Sequence, residues 1–101
     1  MEKIVKGFIG NIDTSGTTSS SQLRVTGLPF TVDVQDAYGV CYTDDITFQG
    51  GRTYIASHLE TSEYVIFMQG GSSLGDTATD HGDVDSSDSD IFFSAFYQSS
   101  Q

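Results

Sequence analysis

The stretch Asp90-Ile91-Phe92-Phe93-Ser94-Ala95-Phe96-Tyr97 decides the fold. Its β-branched and aromatic residues favour a strand. Side chains of a strand alternate between faces, so Ile91, Phe93, Ala95 and Tyr97 oppose Phe92 and Phe96. Both faces are apolar. Glu63 to Gln69 has the same character, with Tyr64, Ile66 and Met68 opposing Val65 and Phe67. A strand in a two-sheet sandwich needs only one apolar face. The second face must meet something too, and exposed patches of that size mark interfaces. A third layer or covering loop from the same chain is one solution. The chain is short for that, so self-association is the expectation. It would put Tyr64, Ile66, Phe92 and Phe96 at a subunit interface.

The rest of the chain is also strand-like. It holds eleven Thr and eleven Gly but one Pro, and helix-forming Ala, Leu and Lys are scarce. No window sustains a 3.6-residue period, and short apolar runs alternate with Gly, Ser, Thr and Asp clusters. Strands are expected at Ile4–Ile9, Gln22–Val34, Tyr38–Thr43, Ile46–Gln49, Thr53–Leu59, Glu63–Gln69 and Ile91–Tyr97. Gly50-Gly51 reads as a tight hairpin turn and Asp44-Asp45 as a turn. Within Gln22–Val34, Leu23 and Val25 share one parity while Leu28, Phe30, Val32 and Val34 share the other. A one-residue phase shift at Gly27 accounts for this. The fold class is all-β: a jelly-roll-like antiparallel β-sandwich of seven or eight strands. Residues 1–101 form one domain, with an N-terminal lead (1–3), an acidic loop (72–90) and a polar tail (98–101).

Fourteen acids face four bases, a net charge of −10. That balance argues against nucleic acid, whose binding rests on Lys and Arg neutralising phosphates. Anionic membrane surfaces are disfavoured for the same reason. No apolar run reaches the roughly 20 residues of a membrane helix, and residues 1–10 lack the unbroken apolar stretch of a signal peptide. Cys41 is the one cysteine, so no internal disulfide forms. A buried apolar role suits it better than nucleophilic chemistry.

Leu23-Arg24-Val25-Thr26-Gly27-Leu28-Pro29-Phe30-Thr31 resembles the "GLPFT" segment of tail-fibre and structural proteins of tailed bacteriophages. The Asp90–Tyr97 stretch is similar to that family's closing "D-I-x-F-S-G-x-Y" strand. Ala95 stands where Gly is more frequent there, and Val32-Asp33-Val34 replaces a small polar stretch. The resemblance covers roughly Gly7 to Tyr97 and implies a compact sandwich at the tip of a trimeric fibre or spike. Such domains contact the host receptor, often a glycan. Leu28 and Phe30 would then be core, with Gly27 and Pro29 shaping the turn.

Several groups of residues bear on chemistry. Asp76 to Asp90 holds six Asp, and Asp83, Asp85, Asp88 and Asp90 could converge on Ca²⁺, which takes six to eight oxygens. The spacing is not that of an EF-hand, and a solvated acidic loop is the plainer reading. His58 and His81 show no metal-ligand spacing. Sugar recognition needs exposed aromatic faces beside polar groups. Tyr38, Tyr42, Tyr54 and His58, with Asp44, Asp45 and Arg52, are the candidates. The Tyr residues serve equally as core or cross-strand pairs. Asp44 and Asp45 are adjacent, so on a strand they point apart and make a poor glycosidase pair.

The expected function is a virion domain, at a phage tail-fibre or spike tip, that binds a host-surface glycan or protein as a homotrimer. It would be non-catalytic, without nucleic-acid or membrane partners, and in contact with other tail proteins. A structural virion module without a receptor role is the alternative, and a small glycan-degrading enzyme is a third reading.

Overall fold

In the computed structural model, the described residues are 2–10, 12, 16–18, 20–28, 37–59, 64–85 and 88–98. Eight strands follow in order: β1 (Glu2–Ile9), β2 (Arg24–Thr26), β3 (Ala37–Gly39), β4 (Cys41–Asp44), β5 (Tyr54–Leu59), β6 (Tyr64–Gly71), β7 (Leu74–Ala78) and β8 (Asp90–Gln98). They form a three-stranded sheet, β1-β8-β4, and a five-stranded sheet, β2-β6-β5-β3, with β7 also pairing β6. Every pairing is antiparallel. The expected all-β sandwich is therefore the fold, with first and last strands side by side.

Alternation builds the core. Val5 and Ile9 of β1 and Ile91, Phe93, Ala95 and Tyr97 of β8 turn inward. They meet Leu59 of β5 and Val65 and Phe67 of β6 from the other sheet. Phe67 and Phe93 join edge to face, with centroids 5.6 Å apart. Burying a side chain such as Phe67 is worth roughly 1.5–3 kcal/mol over leaving it exposed. Gly7 takes the inward position on β1 opposite Phe93, where a Cβ would lie 2.3 Å from the Phe93 ring. The glycine makes room for the aromatic.

The phase shift at Gly27 is present. Leu23, Val25 and Leu28 all pack on the core despite their different parity. Gly27 between them has φ +77, a left-handed conformation that favours glycine. Pro29 and Phe30 lie outside the described residues.

Four local expectations fail. Ile46–Gln49 is not a strand: Ile46 makes an isolated bridge to Val84, and Gln49–Gly51 is a 3₁₀ turn. The Gln49 amide donates to Oε1 of Gln69 at 2.8 Å rather than to a neighbouring strand. Gly50-Gly51 is accordingly part of that turn and joins no hairpin. The supposed loop from residue 72 contains β7 and a second 3₁₀ turn, His81–Asp83. The hairpin turn falls at Ser72-Ser73, between the paired Gly71 and Leu74, where Ser73 has φ 61. Also, β1 begins at Glu2, within the expected N-terminal lead.

The two strands with two apolar faces diverge. On β6, Ile66 is 1% exposed, set between Arg24 of β2 and His58 of β5 by register. The Arg24 guanidinium lies 4.2 Å from the centroid of the Tyr64 ring. The outer face of β6 is thus covered at Ile66 within the chain. On β8, Phe92 stays 47% exposed, and the side chain of Phe96 lies outside the described residues.

Candidate functional site

The outer face of the three-stranded sheet carries an aromatic row. Register sets Phe8 of β1 opposite Phe92 of β8, and Phe92 opposite Tyr42 of β4. Phe8 and Phe92 stack with centroids 4.3 Å apart. The Tyr42 ring is tilted by 54° to Phe92 at 6.0 Å. All three rings are exposed. The inward residues of the same strands fill the core, so alternation leaves these no place but the surface.

The row is bounded by unlike charges. One step beyond it, Asp44 pairs with Asp90. A Cβ built on Gly10 would lie 2.7 Å from Cζ of Phe8 and 3.5 Å from Oδ1 of Asp90, so ring and carboxylate adjoin. On the other side, Lys6 pairs with Ser94, whose amide donates to the Val40 carbonyl at 2.9 Å. Lys6, Val40, Tyr42, Phe92 and Ser94 line a cleft of about 300 Å³. Val40 is 72% exposed. Such a face can stack the apolar side of a sugar ring and accept its hydroxyls on carboxylate oxygens.

The remaining expected ligand residues fall elsewhere. Tyr38 and His58 lie on the five-stranded sheet with parallel rings, 4.1 Å apart and 1° between planes. His58 is buried and Tyr38 exposed. Tyr54 lies over Gly70, where a Cβ would sit 2.5 Å from its ring. Arg52 donates through Nε to the Gly75 carbonyl at 2.9 Å and through Nη1 to the Gln49 carbonyl at 3.1 Å. It fastens the β6–β7 hairpin to the 3₁₀ turn. Of the seven residues, only Tyr42, Asp44 and Asp45 gather at the end of β4.

Asp45 follows β4 with φ 59. The charge of Asp44 beside it holds its carboxyl above the ordinary value of 3.8, and Asp85, Asp88 and Asp90 add to the effect. Those acids therefore share one neighbourhood. Asp83 is engaged in hydrogen bonds of its own. Its Oδ2 accepts from the Asp80 amide at 3.0 Å and from Nε2 of Gln49. Gln49 also binds the Ala78 carbonyl, and fully buried Gln69 donates to Thr79 at 2.9 Å. This satisfied network secures the 3₁₀ turns. Among the described residues, no three of His, Cys, Asp or Glu are placed to share a metal ion.

Sequence reading missed Phe8. The parity of Ile4, Lys6 and Phe8 marks an outer face of β1. Only the pairing of the first strand with the last sets Phe8 against Phe92. No protein-family model, no curated protein and no solved structure matches the chain.

Proposed function

We propose that the chain is a host-recognition module of a phage tail fibre or spike, which binds cell-surface glycan on the Phe8–Phe92–Tyr42 face. The observation that carries this is the row of three exposed rings flanked by Asp44 and Asp90 on one side and Lys6 on the other. The likeness of Leu23–Thr31 and Asp90–Tyr97 to phage fibre proteins supplies the virion setting. The module binds without catalysis. As a homotrimer it turns weak single-site affinity into useful avidity.

One observation favours a structural virion module instead. Ile4 and Val40 extend the aromatic row with exposed aliphatic surface, which suits a protein partner.

The test is a glycan microarray followed by saturation-transfer NMR on the hits, with wild type and Phe92→Ala. Binding by wild type, lost in a Phe92→Ala protein that melts within a few degrees of it, supports the reading. Equal binding by both would remove the face from the proposal. An absence of hits would favour the structural reading. Release of free sugar from any bound glycan would point to the enzyme reading.

A further inference from the structure

The cleft beside the aromatic row is not charge-neutral. Among the described residues, Lys6 is the one charged residue on its wall. The chain has four bases against fourteen acids, so a cation placed there is notable. Arg24 is engaged by Tyr64 and by Oε1 of Gln22, at 2.8 Å, and Arg52 by two carbonyls. Lys6 makes no ion pair among the described residues. Its register partner is Ser94, so it is not balanced across the strand pair either.

We infer that this cleft selects a sugar residue bearing a carboxylate, of the uronic or sialic acid type, with its ring on Phe92 and Tyr42 and its carboxylate at Lys6. This rests on the glycan reading above and narrows it to an acidic sugar. The cleft is at the lower end of ligand-sized cavities, which run from roughly 300 to 1,000 Å³, so it takes one ring of a chain. Asp44 and Asp90 lie across the aromatic row from Lys6. They repel a carboxylate and accept hydroxyl hydrogens, so the sugar is oriented as well as held. The net charge of −10 acts from further away. At physiological ionic strength, exposed charges more than about 8 Å apart are largely screened, so the nearby ammonium dominates at the cleft.

The test compares uronic- and sialic-acid oligosaccharides with their carboxyl-reduced counterparts, in which each carboxylate has become a neutral alcohol. Affinities are measured by NMR titration of the intact chain, as wild type and as Lys6→Gln. Wild type is expected to bind an acidic form about two- to fivefold more tightly than its reduced counterpart, the range for an exposed ion pair. Roughly 0.5 M salt should shrink that advantage. Lys6→Gln should lose the advantage, so that it binds the acidic and the reduced form of a given sugar with equal affinity. Equal affinity for the two forms, or an advantage that survives Lys6→Gln, overturns the acidic-sugar inference and leaves the glycan face standing. Failure of both forms to bind wild type removes the glycan face itself.

Discussion

Ser57 on β5 donates a 2.6 Å hydrogen bond to the backbone carbonyl of Ser94 on β8. This bond links the two sheets at the point where the chain passes from β3 into β4. Gly39 lies over it: a Cβ there would be 1.9 Å from the Ser94 oxygen and 2.6 Å from Oγ of Ser57. Both atoms are held, so neither can yield cheaply. Gly39→Ala is expected to lower stability by about 1–3 kcal/mol, as overpacking of a filled site does. A urea melt checks it, and a midpoint equal to that of wild type would show that the corner is slack.

Tyr97 gives a change of opposite sign. Its ring is core, yet its buried hydroxyl has no hydrogen-bond partner among the described residues. A buried unpaired polar group costs about 1–3 kcal/mol. Tyr97→Phe keeps the ring and removes the hydroxyl, so stability should rise by about 1 kcal/mol in the same urea assay.

Asp45 makes a pH-dependent prediction. Its pKa in the folded chain is raised above 3.8, chiefly by Asp44. The folded state therefore takes up this proton before the unfolded state does, and stability gains from it as pH falls. Asp45→Asn removes the repulsion at all pH values and suits the left-handed backbone at this position. The variant should melt higher than wild type at pH 7. The gap should narrow as pH falls toward 3.8, as the raised carboxyl of Asp45 takes up its proton. A gap independent of pH would assign the gain to backbone conformation alone.

Oligomeric state is the direct check on the fibre reading. Light scattering coupled to size exclusion should give the mass of three chains, with and without a calcium chelator. Asp83 is held by the Asp80 amide and the Gln49 side chain, so the 3₁₀ turn beneath the acidic loop does not need a cation. A trimer that dissociates in chelator would instead assign Asp85, Asp88 and Asp90 to metal. A monomer in both conditions would remove the homotrimer.

The fold was legible where side chains carried it. β6 and β8 have the aromatic and β-branched density that only a packed strand needs, and the parity break at Gly27 announced its own kink. β7 was not legible, because Leu74–Ala78 (LGDTA) holds one large apolar residue, and that residue is exposed. Its place is fixed by backbone pairing with β6. Ile46–Gln49 misled because Ile46 packs on the core without a strand partner, as an apolar residue of a loop can. The candidate site was half legible. Tyr42 and Asp44 show their outward parity locally. The contribution of Phe8 depends on which strand lies next to β1, a non-local fact that no short window contains.

A single run of chain, Ala37 to Asp44, belongs to both sheets and changes from one to the other at Val40. A ligand held by Tyr42 therefore pulls on more than its own sheet. Tension on that side chain travels through Cys41 and Val40 into the pairing of β3 with β5, while β8 takes the remainder through Cys41–Asp44. Tension directed along the run loads these bonds sideways and together rather than peeling them one at a time. An attachment made at Tyr42 is thereby anchored across both sheets of the domain.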